Sequence, residues 1–229
     1  MINLTETSFT NLNNTEIKII SCNYNLDLYS DSLFTEYNVN LPKSVSESCA
    51  KRKAEYLAGR VCAKHALNYF SFKNWELNSH PQFRYPLWPD NINGSITHTK
   101  QYAAAAVTNN KNLLIGIDSE KILNRDNLTK LGNIIINSNE FNNISKNNNF
   151  SENIIYTLSF SAKESLFKCI FKLVNKYLDF HDSEILEVNS CNQSFKIILK
   201  NIPHLNNEFI GYYNLQEDRI NTIITHLNN

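Results

Sequence analysis

The sequence is poor in several features that would define a class of function. It has five glycines and one methionine among 229 residues, and its basic and acidic residues balance at 22 each. A neutral balance gives no general attraction to nucleic acid, so any phosphate site must be local. Its apolar runs are short, whereas a membrane-spanning helix needs about 20 apolar residues. We therefore expect no transmembrane segment and no nucleic-acid partner.

The five cysteines are scattered along the chain and form no Cys-x-x-Cys pair. This pattern argues against a disulfide framework and against a zinc site. Residues 1–14 are polar and lack the basic and apolar stretches of a signal peptide. We therefore expect reduced thiols and a cytoplasmic protein.

Hydrophobic periodicity predicts an α+β chain with two lobes of similar size. Long helices are predicted at residues 46–70 and 162–178. Strands are predicted at 96–108 and 112–120, joined by a hairpin turn at 109–111. Further strands are predicted in the tail, at residues 185–188, 194–199, 208–215 and 220–225. Within the Asn-rich stretch that precedes the second helix, residues 142–149 are expected to be a mobile loop.

Two carboxylates end the second of these strands, in the motif Gly116-Ile117-Asp118-Ser119-Glu120. Residues two apart on a strand point to one side, so Asp118 and Glu120 share a face. Oxygen ligands of this kind suit Mg²⁺, which takes one or two carboxylates together with phosphate oxygens and water. A solvated strand end is the alternative.

A third carboxylate, Glu164, lies in the motif Phe160-Ser161-Ala162-Lys163-Glu164-Ser165-Leu166-Phe167-Lys168. It would complete a metal site, with Lys163 and Lys168 neutralising phosphate. The alternative is structural: Ser161 and Glu164 have the spacing of a helix capping box, and Glu164 and Lys168 that of an ordinary helix ion pair.

Basic residues cover the first long helix. Arg52 and Arg60 are two turns apart, close enough for both side chains to reach one group, and arginine forks suit phosphate. His98 begins a strand beside Thr97, which adds a hydroxyl group. A solvated helix face and a structural histidine are the alternatives.

Together, four motifs occur in a fixed order: RKAEYLAGR at 52–60, WP and GSITH within 88–98, GIDSE at 116–120 and FSAKESLFK at 160–168. This series resembles the 4'-phosphopantetheinyl transferases. It is most similar to the enterobactin synthase component D group, a branch of the surfactin-type enzymes. The resemblance runs from about residue 42 to the end of the chain.

The resemblance implies a pseudo-dimer of two lobes, each a long helix packed on an antiparallel sheet, with the active site in the cleft between them. The lobes would span residues 1–121 and 122–229. Such enzymes transfer the phosphopantetheine arm of coenzyme A to a serine of an apo carrier protein and release adenosine 3',5'-bisphosphate.

The resemblance also implies roles for individual residues. The Mg²⁺ ligands would be Asp118, Glu120 and Glu164. The residues that contact coenzyme A would be Arg52, Arg60, Arg84, Thr97, His98, Lys163 and Lys168. On chemical grounds, we also expect Glu164 to accept the serine proton directly or through water, with Lys168 and Lys163 as further catalytic residues. The chain departs from the family at Ser119, where a bulky apolar residue is expected, and we expect a small packing loss there.

The implied partners are acyl, peptidyl or aryl carrier proteins of nonribosomal peptide, siderophore or polyketide synthesis. We expect the chain itself to be a monomer. The alternative is a non-catalytic module that binds coenzyme A or a carrier protein. A pure binding module would not need the full set of three acids and two lysines, so the complete set favours an enzyme.

Overall fold

The computed structural model describes residues 1–10, 15–73, 75–146, 148–200, 202 and 208–228. The chain divides into two compact units, Met1–Leu113 with Asn228, and Leu114–Leu227. No helix in these described ranges is both long and apolar enough to cross a membrane.

The first unit contains a four-stranded antiparallel sheet in the order β1-β2-β4-β3. Its elements are β1 (Ile2–Thr10), β2 (Glu16–Tyr24), α1 (Ser32–Glu36), α2 (Lys43–Ser46), α3 (Ala50–Tyr69), β3 (Asn93–Thr99) and β4 (Tyr102–Thr108). Helix α3 packs on this sheet through small side chains, including Ala54, Ala58 and Ala66, which meet Ala103 and Ala105 of β4. Small residues on both surfaces allow the helix and the strand to approach closely.

The second unit contains a five-stranded sheet in the order β5-β9-β8-β7-β6. Its elements are β5 (Leu113–Lys121), α4 (Arg125–Ile135), α5 (Ser138–Lys146), α6 (Glu152–Val174), β6 (Ser183–Asn189), β7 (Ser194–Leu199), β8 (Glu208–Leu215) and β9 (Arg219–Leu227). The β6–β7, β7–β8 and β8–β9 pairs are antiparallel. Each unit thus has one long helix and a sheet, which confirms the predicted α+β class.

Two predicted connections are wrong. The predicted lobe boundary lies after residue 121 and would place β5 in the first lobe. In the structure, β5 pairs with β9 and belongs to the second unit. Residues 109–111 therefore join two sheets and form no hairpin. The hairpin is β3–β4, which turns at Lys100 and Gln101. Gln101 adopts a left-handed backbone with φ 59°. Glutamine is not typical of this conformation, so the sequence gives no signal for the turn.

The segment before α6 was also predicted incorrectly. Residues 142–146 of the expected mobile loop belong to α5, and residue 147 lies outside the described part. Helix α6 begins at Glu152, ten residues before the predicted start. Ser161 is therefore no cap: its buried hydroxyl lies 2.8 Å from the Thr222 hydroxyl. Strands β6, β7, β8 and β9 confirm the four strands that were predicted in the tail.

Helix α6 and strand β5 touch at Gly116. A Cβ atom on this residue would lie 1.9 Å from the Ser165 carbonyl oxygen and 2.6 Å from the Cys169 backbone nitrogen. No side chain fits at that distance, so the glycine allows the helix backbone to lie directly on the strand. Asp118 and Glu120, which alternate with Gly116 on the same side of β5, consequently face α6.

A buried ion pair fastens α6 to α5. The Lys163 ammonium donates to Glu140 Oε2 at 2.9 Å and to the carbonyls of Ile135 and Phe180 at 2.9 and 3.0 Å. The other oxygen of Glu140 accepts the Ile185 backbone N–H at 2.8 Å. Burial lowers the pKa of Lys163 and raises the pKa of Glu140, so each charge depends on the other to remain in the interior.

We predict that Gly116→Ala lowers the free energy of unfolding by about 1–3 kcal/mol or more, because the new methyl group meets backbone atoms that have no room to move. Urea denaturation measures the change. Gly132→Ala in α4 is the matched control. Its new methyl group would meet a Tyr156 ring carbon at 3.1 Å, and alanine is the better helix former. An unchanged stability of Gly116→Ala would contradict the close contact.

We predict that Lys163→Met costs about 3–5 kcal/mol of stability, because it leaves Glu140 buried without its partner. Thermal and urea denaturation measure the loss. Lys176→Met, at an exposed position just after α6, should stay within about 0.5 kcal/mol of wild type. Wild-type stability of Lys163→Met would show that this ammonium is not held in the core.

Candidate functional site

Two of the predicted acids extend from β5 towards α6. Asp118 is buried, and its Oδ1 atom accepts a hydrogen bond from the Lys168 ammonium at 2.6 Å. Lys168 lies one turn after Glu164 on α6. Strand alternation and helical spacing thus place Asp118 and Lys168 in direct contact, at the point where Gly116 brings the two elements together.

The three carboxylates share one electrostatic environment. Burial raises the pKa of Glu120 to about 8, and the charges of Asp118 and Glu164 add to this rise, while Lys168 opposes it. Burial also raises the pKa of Glu164, again with a contribution from Asp118 and opposition from Lys168. When all three acids are ionised, one neighbouring ammonium leaves an excess of negative charge that a bound cation would relieve.

This donor set fits a hard divalent cation. All of its donors are carboxylate oxygens, the ligands that Mg²⁺ prefers. Among the described residues, no three His, Cys, Asp or Glu side chains stand close enough to form a metal cage by themselves. Mg²⁺ commonly binds through one or two carboxylates and completes its coordination with phosphate oxygens and water, so an open set is compatible with it.

Ser119, between the two acids, has a polar role that the sequence did not reveal. It is fully buried, and its hydroxyl donates to Asn221 Oδ1 on β9 at 2.7 Å. The side chain points away from Asp118 and Glu120, as alternation predicts. A hydrogen bond to the neighbouring strand thus takes the place of the apolar packing expected there.

Lys163 differs from its prediction. Its ammonium has three hydrogen-bond donors, and Glu140, Ile135 and Phe180 accept all three in the core. No donor is left for a phosphate. The structure therefore gives Lys163 a structural role and leaves Lys168 as the lysine beside the carboxylates.

An apolar pocket adjoins Glu164. It has a volume of about 290 Å³, and its walls include Phe167, Tyr177, Leu178 and Phe180. The Phe167 and Tyr177 rings are stacked with centroids 5.9 Å apart, and Tyr177 is 69% exposed. The predicted second helix, at residues 162–178, would include Tyr177 and Leu178. Because α6 ends at Val174, Tyr177 and Leu178 instead line a pocket.

The predicted basic residues gather in the first unit, in a pocket of about 200 Å³ that we call the basic pocket. Its lining includes Arg52, Arg60, Arg84 and His98. Arg52 Nη1 lies 2.8 Å from His98 Nε2. Because arginine only donates, Nε2 accepts, and the neutral imidazole carries its proton on Nδ1.

Glu55 is the acidic member of the basic pocket, and sequence reasoning missed it. Its carboxylate lies 3.7 Å from Arg52 and 3.8 Å from both Lys51 and His98 Nδ1. The signal was its spacing of three and four residues from Arg52 and Lys51 on one helix. Glu55 is positioned to orient both Arg52 and His98.

Arg60 is the most buried cation of the pocket. It is only 8% exposed, its Nη2 donates to Ser79 Oγ at 2.7 Å, and its guanidinium lies over the Tyr56 ring. Arg84 is exposed and has a left-handed backbone with φ 62°. Thr97 does not join them: it is buried and alternates with His98, so it points to the opposite face of β3.

Comparison with known proteins identifies the family. The model of the 4'-phosphopantetheinyl transferase N-terminal domain matches residues 42–108, and that of the 4'-phosphopantetheinyl transferase superfamily matches residues 114–216. The two matches separate near residue 113, where the two units of the structure also separate.

Curated relatives agree with the two models. The chain is 32% identical to enterobactin synthase component D of Escherichia coli O157:H7 over 177 residues, 77% of this chain and 78% of the relative. It is 34% identical to the Salmonella typhi protein of that name over 148 residues, and 41% identical to that of Salmonella typhimurium over 118 residues. These matches cover 65% and 52% of this chain, but only 60% and 48% of the relatives' length. From both family models and the Escherichia coli relative, it follows that the chain belongs to the 4'-phosphopantetheinyl transferase superfamily.

Proposed function

We propose that this chain transfers the 4'-phosphopantetheine group of coenzyme A to a serine of an apo carrier protein and releases adenosine 3',5'-bisphosphate. The observation that carries the proposal is the set of Asp118, Glu120 and Glu164 with Lys168, on two elements held together at Gly116. A protein that only binds coenzyme A would gain nothing from placing Glu120 and Glu164 in the same electrostatic environment as the buried Asp118.

The two charged sets suit different phosphates of coenzyme A. Arg52, Arg60, Arg84 and His98 offer cations and N–H donors, and we assign the 3'-phosphate to them. The pyrophosphate is assigned to the carboxylate set of the second unit. Mg²⁺ held by Asp118, Glu120 and Glu164 would offset the negative charge of the pyrophosphate.

The remaining roles belong to residues of the second unit. The serine oxygen bonds to the phosphorus that carries the pantetheine arm, and the bond from this phosphorus to the bridging oxygen breaks. Glu164 accepts the serine proton directly or through a water molecule. Lys168 stabilises negative charge on the phosphate oxygens. The apolar pocket of Phe167, Tyr177, Leu178 and Phe180, beside Glu164, suits the uncharged arm.

The relatives suggest the class of carrier protein. Those reported above are components of enterobactin synthase, which points to carriers of nonribosomal peptide or siderophore synthesis, or of polyketide synthesis. We propose that the chain acts on such carriers as a monomer, since each charged set is complete within one unit. We propose the cytoplasm as its location.

Intact-mass spectrometry of a panel of apo carrier proteins, mixed with this chain, coenzyme A and Mg²⁺, tests the proposal. We expect one phosphopantetheine group to be added to at least one carrier, and removal of Mg²⁺ with a chelator should stop the transfer. Glu164→Gln, with Mg²⁺ saturating, should lower kcat by roughly a hundredfold to ten-thousandfold. Glu152→Gln, on the exposed first turn of the same helix, should leave kcat unchanged.

A near-normal kcat of Glu164→Gln would remove this residue from catalysis. If coenzyme A binds but no carrier gains mass, the chain is a binding module instead. The pattern of modified carriers ranks the substrates, and modification of fatty acid carriers alone would contradict the proposed pathway class.

We predict that Arg52→Ala reduces discrimination between coenzyme A and 3'-dephospho-coenzyme A. Loss of a charge-assisted hydrogen bond should raise the KM for coenzyme A about tenfold to a hundredfold. The KM for the dephospho compound should change little, because it lacks the phosphate that Arg52 contacts. Arg125→Ala, at the exposed start of α4, is the control. An equal rise for both compounds would contradict the assignment of the 3'-phosphate.

A further inference from the structure

The segment from Asn78 to Leu87 folds into a small closed loop, which we call the His80 loop. The Leu87 N–H donates to the Asn78 carbonyl at 2.8 Å, and the His80 N–H donates to the Tyr85 carbonyl at 2.8 Å. The Arg84 N–H returns to the His80 carbonyl at 2.9 Å. Backbone hydrogen bonds therefore close the loop at its base and near its tip.

The half-buried side chain of His80 contacts three other residues of this loop. Its Nδ1 atom is 3.3 Å from the Gln82 N–H nitrogen and 3.2 Å from that of Phe83, and it accepts from both. Its ring stacks on Tyr85 with centroids 4.8 Å apart and lies against Phe83 at 5.2 Å. The imidazole thus serves as a hydrogen-bond acceptor and as a flat apolar surface at once.

Three residues of this loop line the basic pocket, namely Ser79, Arg84 and Pro86. Ser79 accepts the hydrogen bond from Arg60, and Arg84 lines the pocket directly. Arg84 has a φ of 62°, a left-handed backbone that is strained for a residue other than glycine. Neighbouring interactions must hold this backbone in place. The His80 carbonyl accepts the Arg84 N–H, and His80 Nδ1 accepts the N–H groups of the two preceding residues, Gln82 and Phe83.

We propose that His80 is a positioning residue for coenzyme A. Its Nδ1 acceptor and its ring hold the His80 loop in the conformation that presents Arg84 and Ser79 to the basic pocket. His80 acts through these two residues and needs no contact with the ligand. The proposal rests on the proposed function, because it concerns the same coenzyme A site.

Three variants separate the two properties of the imidazole. His80→Phe keeps a flat ring and loses the acceptor. His80→Asn loses the ring but retains a side-chain oxygen that can accept N–H groups two and three residues ahead, as asparagine does in turns. His80→Ala loses both. His65→Phe, on the exposed side of α3, is the matched control.

We expect His80→Phe to weaken coenzyme A binding about tenfold, since two modest hydrogen bonds are lost. Calorimetry measures this affinity, and kinetics should show a higher KM for coenzyme A with kcat and the KM for the carrier unchanged. His80→Asn should recover most of the affinity, and His80→Ala should be the weakest binder. His65→Phe should match wild type.

Wild-type affinity in His80→Phe would overturn the proposal. So would a parallel fall of thermal stability, kcat and both affinities, because that pattern belongs to a general folding role. If the wild-type chain binds coenzyme A but transfers nothing, the proposed function fails. The coenzyme A affinities of the His80 variants would then still test the role of His80. If the wild-type chain does not bind coenzyme A, both proposals fail.

Discussion

The contact between β5 and α6 at Gly116 is the constraint on which the candidate site depends. Only a residue without a side chain allows the Ser165 carbonyl and the Cys169 nitrogen to approach the strand so closely. The acids of β5 then face the acid and the lysine of α6 across a short gap. Charges on two separate elements thus come to share one electrostatic environment.

Charge in this protein is arranged locally even though its sum is zero. Cations collect in the basic pocket of the first unit, and carboxylates collect between β5 and α6 in the second unit. Each set also contains one group of the opposite sign, Glu55 among the cations and Lys168 among the acids. These single opposite charges orient their neighbours while leaving most of the set's charge uncompensated.

Much of this arrangement could be predicted from alternation and helical spacing. Period-2 alternation placed Asp118 and Glu120 on one side of β5. The family resemblance named Arg52, Arg60 and His98 as contacts of coenzyme A, and all three line the basic pocket. Thr97 was misplaced because its hydroxyl suggested phosphate, although alternation already set it opposite His98. The β3–β4 turn was missed because Lys100 and Gln101 carry no glycine or asparagine signal. Helix α5 was missed because its apolar positions are few among many asparagines.

The adjacent residues Lys163 and Glu164 of α6 have different roles, one in the core and one in the candidate site. Successive side chains on an α-helix differ in direction by about 100°, so one member of this pair turns inward to Glu140 and the other turns towards the acids. An alanine scan that measures only turnover would find a loss of activity at both positions. It would therefore count Lys163, which stabilises the core, as a catalytic residue. Separating such neighbours requires a measure of folding beside every measure of rate, wherever a charged dipeptide lies on a half-buried helix.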